Sequence, residues 1–207
     1  MSGARRPPAA TRRELLAAAA AAGGALAGGV LLAGAGAASA RARAPRDDAE
    51  LLSHTLGMAQ LGAYVYEAVF AERIITGGRR RALDGFDEQK RAHVAALRAA
   101  VRARGGRIGA PPSSDADANR RLARRQIPER LGHLRGPEDA LGLLIEVERS
   151  SIGSCFVALG GLTGADAITL VARIMGNDAQ HEAILSLQRH ALKLKAAAPY
   201  ALVAGRH

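Results

Sequence analysis

Four side chains that can bind metal ions interrupt helical stripes that are otherwise apolar, and they are His93, Glu148, Asp178 and His181. The stripes are Phe86, Lys90, His93, Leu97 and Val101; Leu141, Leu144, Glu148, Ile152, Cys155 and Leu159; and Leu170, Ile174, Asp178, His181 and Leu185. Steps of three and four residues keep each stripe on one helix face, so the polar groups are expected to point inward with the leucines. A buried carboxylate needs a metal, a cation or several hydrogen bonds. Because carboxylate and imidazole together suit divalent metals, the pattern predicts a buried polar site.

Four long helices are predicted to position these residues. The first is expected from about Asp48 to Thr76, where Gly77 and Gly78 stop it. The others are expected from Asp84 to the Gly105–Gly106 pair, from Pro137 to the Gly160–Gly161 pair, and from a Thr163-x-x-Asp166 capping box to about Ala191 or Leu194.

The connections between these helices predict the topology. Two of them are short, which makes the first helix antiparallel to the second and the third antiparallel to the fourth. The third connection, residues 107–136, is long enough to cross the length of a bundle, and only residues 115–125 within it look briefly helical. The sequence therefore predicts an all-α, up-down four-helix bundle made of two antiparallel helical hairpins and a long crossover.

The motifs resemble those of the ferritin-like family of exported bacterial proteins, over most of residues 48–195. In that family the second helix carries Glu-x-x-His-Val, the third a Glu and the fourth Glu-x-x-His. Here His93-Val94, Glu148 and Asp178-x-x-His181 stand at the matching positions, and Tyr64-Val65-Tyr66 matches an aromatic stretch of the first helix. The resemblance implies a ferritin-like fold in which His93, Glu148, Asp178 and His181 are the metal ligands.

Two positions depart from the family pattern. Lys90 stands where the second-helix Glu would be, and Ala59 stands at the position of the first-helix Glu. Loss of two carboxylates implies at most one Fe, Mn or Zn ion and no full di-iron chemistry, leaving metal binding or a weak redox role. The alternative is a metal-free structural or interaction module, in which the Lys90 ammonium replaces the ion and pairs with Glu148 or Asp178.

Residues 1–40 have the features of an export signal. Thr11-Arg12-Arg13-Glu14-Leu15-Leu16 precedes an uncharged stretch rich in Ala and Gly, which closes on Ala38-Ser39-Ala40. A basic head, an apolar middle and a small-residue end indicate a cleavable leader, and the paired arginines resemble a twin-arginine signal. We therefore expect export across the cytoplasmic membrane and a mature domain of residues 41–207, with an uncleaved membrane anchor as the alternative.

The composition constrains the partners. The formal charge is +10, which favours anionic partners such as a lipid or envelope surface, although a compositional bias toward arginine on a solvated surface is the simpler explanation. Four arginines of the crossover could form such a docking element: Arg120, Arg121, Arg124 and Arg125. Aromatic residues are only 3% of the chain, which argues against single-stranded nucleic acid. The sequence is also compatible with a homodimer. The single cysteine, Cys155, lies on an apolar stripe and is expected to act as a small hydrophobe.

Overall fold

The computed structural model describes residues 47–190, and every regular element in this range is a helix. The helices are α1 (Asp48–Ala71), α2 (Gly77–Ala82), α3 (Phe86–Ala103), α4 (Asp115–Arg124), α5 (Pro137–Leu159) and α6 (Ala165–Arg189). The prediction of an all-α fold is confirmed, whereas the predicted export signal lies outside the described residues. Within residues 47–190, none of the helices combines the length and apolarity that a bilayer span requires.

The helix boundaries near the first turn differ from the prediction. α1 ends at Ala71 rather than Thr76, because Arg73 adopts the left-handed conformation (φ 53°), which a helix cannot continue through. Gly77 and Gly78 were predicted to stop a helix but begin the short α2. α3 starts at Phe86 rather than Asp84, since Gly85 precedes it with φ 83°, a conformation that favours glycine.

The four long helices contact one another in a ring. α1 packs against α3 and α5, and α6 packs against α5 and α3. At one end, the Asp48 carboxylate accepts hydrogen bonds from the backbone N–H groups of Thr163 (2.8 Å) and Gly164 (2.8 Å), while Arg104 donates to Asp166 at 2.6 Å. The predicted capping box at Thr163 is therefore wrong, because α6 has no side-chain cap of its own and the start of α1 satisfies these amides instead.

The core consists of two apolar clusters that lie one beyond the other along the helices. The first takes its α5 residues from Ala140 to Val147, and the second takes Cys155 and Ala158. On α6 the order reverses, with Ala167, Val171 and Ile174 in the second cluster and Leu185 in the first. Between the two clusters the stripes carry polar side chains, as the sequence pattern predicted.

The tight contact between α1 and the turn after α3 gives a stability prediction. A Cβ added at Gly106 would lie 2.9 Å from Val101 Cγ1 and 3.0 Å from Ala49 Cβ. Gly106→Ala should therefore lower the free energy of unfolding by about 1–3 kcal/mol, because overpacking forces these atoms apart. The control is Gly109→Ala, where a Cβ has no neighbour within 4 Å and should be neutral or slightly stabilising. Equal urea midpoints for the two variants would contradict the close approach.

Candidate functional site

All four long helices contribute to the polar layer between the apolar clusters. The layer consists of Tyr66 of α1, Lys90 and His93 of α3, Glu148 and Ser151 of α5, and Asp178 and His181 of α6. Every member except His93 is buried. The His93 side chain is 13% exposed, so it is the point at which the layer meets solvent.

Lys90 lies at the centre of this layer. Its ammonium donates hydrogen bonds to Glu148 Oε2 and, at 2.7 Å, to Asp178 Oδ1. The lysine side chain is 2% exposed and both carboxylates are fully buried. An ammonium with two carboxylate partners is compensated both by charge and by charge-assisted hydrogen bonds, which makes its burial possible.

Both carboxylates have all of their oxygens occupied. Glu148 Oε1 accepts from the Tyr66 hydroxyl at 2.6 Å and lies 3.1 Å from His181 Nδ1. Asp178 Oδ2 accepts from the Ser151 hydroxyl at 2.6 Å, whereas Oδ1 faces Lys90. Because no oxygen of either group is left without a polar partner, the desolvation cost of burying the two charges is substantially offset.

The His181 ring is fixed on three sides. It stacks on the Phe86 ring, with centroids 3.9 Å apart and planes at 16°. Its Nδ1 faces Glu148, and its Nε2 lies 2.8 Å from Gln89 Oε1, which also accepts from Asn177 at 2.9 Å. The imidazole is therefore held against Glu148 in one orientation.

The charges in the layer nearly balance. Two carboxylates face one ammonium, which leaves one negative charge if both imidazoles are neutral. His181 Nδ1 lies 3.1 Å from Glu148 and His93 Nδ1 lies 3.3 Å from Asp178, so each carboxylate has an imidazole beside it as well as the ammonium.

The surroundings shift the ionisation of the charged pair. Burial raises the pKa of Asp178, but the hydrogen bond from His93 and the charge and hydrogen bond of Lys90 outweigh it and lower that pKa to about 2. Burial likewise lowers the pKa of Lys90, but the charges of Glu148 and Asp178 outweigh it, so this pKa lies above its ordinary value of 10.5. The ammonium and the Asp178 carboxylate both stay charged at neutral pH.

Burial also raises the pKa of the Tyr66 hydroxyl, within the layer, and of the Cys155 thiol, outside it. Burial, reinforced by the charge of Glu148, raises the pKa of Tyr66 well above 10.0, so its hydroxyl remains a donor. Burial raises the pKa of Cys155 to about 12. Since the thiolate is the reactive form of cysteine, Cys155 fits its predicted role as a small hydrophobe.

The structure brings the four predicted ligands into one layer, and three of them form a more compact group than the fourth. Glu148, Asp178 and His181 each offer a ligand atom, these atoms lie within 4.8 Å of one another, and the group could hold a metal ion. His93 Nδ1 lies 3.3 Å from Asp178 Oδ1, the oxygen that also accepts from Lys90, and His93 is not part of this compact group. Their role as metal ligands stays a prediction.

Sequence reasoning missed Tyr66 and Ser151 as partners of the carboxylates. Ser151 follows Glu148 by three residues and so shares its helix face, a signal that could have identified it. Tyr66 belongs to the aromatic stretch noted in the first helix, but its hydroxyl could be paired with Glu148 only once the packing of α1 against α5 was known.

Comparisons with known proteins give no relative from which a function could be transferred. No protein-family model, no curated protein and no solved structure matches the chain.

Removing the central cation should be strongly destabilising. Lys90→Met keeps the length of the side chain but leaves two buried carboxylates without it, so we expect a loss of roughly 3–5 kcal/mol in the free energy of unfolding. The control is Arg91→Met at the neighbouring position, which removes an exposed ion pair with Asp87. It should lower the free energy of unfolding by less than about 1 kcal/mol. Adding Glu148→Leu and Asp178→Leu to Lys90→Met should recover much of the loss. Equal effects of Lys90→Met and Arg91→Met in urea unfolding would refute the central role of Lys90.

Asp178 gives a pH dependence with a definite sign. A folded-state pKa of about 2, against 3.8 for the ordinary group, means that its charged form stabilises the fold above pH 3.8 and that this contribution is lost as the pH falls toward 2. The stability difference between the wild type and Asp178→Asn should therefore be large at about pH 5 and shrink at about pH 2. Asp84→Asn, at a side chain 66% exposed, is the control. A difference that grows on acidification would be the opposite of the expected result.

Proposed function

We propose that this protein is an exported, ferritin-like four-helix-bundle domain in which the Lys90 ammonium takes the place of a metal ion. It acts as a structural or interaction module of the cell envelope rather than as a redox enzyme. The observation that carries this proposal is the pair of hydrogen bonds from Lys90 to Glu148 and Asp178. A cation supplied by the chain itself already pairs with both carboxylates that a divalent ion would need.

The helix contacts support the bundle topology. The starts of α1 and α6 lie together at the end where α3 finishes, as the Asp48 and Arg104 contacts indicate. At the other end, α2, which directly follows α1, pairs with the start of α5 through Arg79 and Glu138 at 2.7 Å. These pairings suit antiparallel α1–α3 and α5–α6 hairpins joined by the crossover of residues 107–136.

The residues that depart from the family pattern support the loss of the two-metal site. Ala59 is buried in the second apolar cluster, where its methyl group offers no ligand. Lys90, the other departure, offers a cation. Of the six positions that the family template uses, these two therefore work against metal binding, one by absence of an oxygen and one by repulsion.

The polar layer can set how the four helices align along the bundle. Each long helix places at least one polar side chain in it. Sliding α3, α5 or α6 by one turn would separate Lys90 from a carboxylate, and sliding α1 would remove the Tyr66 hydroxyl from Glu148. Such a shift would be costly in the apolar surroundings. The layer therefore fixes the register of the four helices.

A second candidate function is binding of a single Fe²⁺, Mn²⁺ or Zn²⁺ ion. It is favoured by the compact set of ligand atoms from Glu148, Asp178 and His181, with His93 as a further ligand. For this site to fill, Lys90 would have to swing its ammonium away along its flexible stem. The two candidates differ in one measurable quantity, the metal content of the wild type.

Elemental analysis of the full chain, purified without chelator, separates the candidates. We expect substoichiometric Fe, Mn and Zn in the wild type and about one ion per chain in Lys90→Glu, because a carboxylate replaces the ammonium beside His93. Lys90→Met, which removes the cation without adding a ligand, is the matched control and should bind more weakly than Lys90→Glu. One tightly held ion in the wild type would support the second candidate, and two would exclude both.

The export part of the proposal depends on residues 1–40 and is tested separately. Arg12→Lys together with Arg13→Lys keeps the charge of the leader but removes the paired arginines. If a twin-arginine route is used, cell fractionation should find the wild type outside the cytoplasm and this variant inside it. Unchanged export of the variant would rule that route out without bearing on the polar layer.

A further inference from the structure

A surface pocket between α1 and α4 has a strongly basic wall. It has a volume of about 560 Å³, and α1 contributes Ser53, His54, Gly57 and Leu61 to its lining. The end of α4 and the residue after it contribute Arg121, Arg124 and Arg125, with Asp117 as the acidic member. None of these residues belongs to the polar layer, so this pocket is a second feature of the molecule.

One of the three arginines already has hydrogen-bond partners within the protein. Arg121 donates to Asp117 at 2.8 Å and to the carbonyl oxygen of Ala110 at 3.0 Å. Asp117 also accepts from Arg120, which is 64% exposed and does not line the pocket. Arg121 and Asp117 therefore cancel each other within the pocket, and Arg120 is not one of its lining groups.

The other two arginines lack such partners within the part of the chain that the structure describes. Among residues 47–190, neither Arg124 nor Arg125 has a hydrogen bond or ion pair from its side chain. Arg125 is nevertheless half-buried, and this burial lowers the pKa of its guanidinium. A guanidinium withdrawn from water without a counter-charge is unfavourable, so an anion that entered the pocket would be bound by it.

The opposite wall leaves room for such an anion. A Cβ built on Gly57 would meet no heavy atom within 4 Å, which shows open space at the centre of the α1 side. The volume exceeds that of a bare phosphate and is typical of sites that hold a phosphate together with its organic group.

We propose that this pocket binds the phosphate of a phosphomonoester, held by Arg124 and Arg125. Two unpaired guanidiniums match the charge of a phosphomonoester, which approaches two negative charges near neutral pH. Guanidinium groups also bind phosphate oxygens through paired N–H donors, which gives direction as well as charge. The phosphate can belong to a soluble ester or to the head group of phosphatidic acid.

The test measures binding of the full chain in phosphate-free buffer. Soluble probes are inorganic phosphate and glycerol phosphate, followed by calorimetry, and the membrane probe is phosphatidic acid in phosphatidylcholine vesicles, followed by co-sedimentation. Arg124→Gln with Arg125→Gln removes the two cations. Gly57→Leu fills the pocket and keeps every charge. The control is Arg102→Gln with Arg107→Gln, which removes two exposed arginines elsewhere.

The expected result is binding of at least one probe by the wild type. The Arg124/Arg125 double variant and Gly57→Leu should each weaken it at least about tenfold, whereas the control should change it less than about twofold. Binding of soluble ester identifies a small-molecule site, and binding of vesicles alone identifies a lipid head group. Absence of binding to every probe, or equal losses in the control, would overturn the proposal. The metal content of the wild type has no bearing on this outcome.

Discussion

The contact on which the rest of the structure depends is the Lys90 ammonium between the carboxylates of Glu148 and Asp178. It lies where the apolar core would otherwise be continuous, and it divides that core into two clusters. A buried ion cluster seldom adds stability compared with apolar packing, but it penalises every arrangement in which one charge loses its partner. Because the partners come from α3, α5 and α6, with Tyr66 of α1 bound to Glu148, the cluster ties the four long helices to one register.

Much of this arrangement could be predicted from the sequence. Stripes with steps of three and four residues placed Glu148, Asp178 and His181 on inward faces, and all three are buried. The same periodicity predicted the four long helices, and most of their boundaries lie within a few residues of the predicted ones. Lys90 was predicted to share a stripe with His93 and, in the metal-free alternative, to pair with Glu148 or Asp178. In the structure it pairs with both carboxylates.

The remaining features depend on contacts between residues far apart in the chain. Asp48 accepts from the amides of Thr163 and Gly164 just before α6, and the pairing with Thr163 spans 115 residues, which no local capping pattern encodes. Tyr66 and Glu148 are 82 residues apart and meet only because α1 packs on α5. The end of α1 was misjudged for a local reason, since Arg73 takes a left-handed conformation that sequence patterns rarely reveal in a non-glycine residue. Four arginines of the crossover were predicted to act together as a docking element, yet Asp117 pairs with two of them, Arg120 and Arg121. Of these four, Arg124 and Arg125 remain for a ligand among the contacts of residues 47–190.

The central claim is that the Lys90 ammonium is the cation that Glu148 and Asp178 bind in the folded protein. Lys90 is one of only three lysines, with Lys193 and Lys195, so labelling with ¹⁵N-lysine isolates its ammonium by nuclear magnetic resonance. A buried ammonium with two carboxylate acceptors should exchange its protons slowly and give a signal that is missing in Lys90→Met. The account predicts that excess Zn²⁺ leaves this signal unchanged. Its displacement or loss on addition of Zn²⁺ would contradict the account, because the metal would then have taken the carboxylates from Lys90.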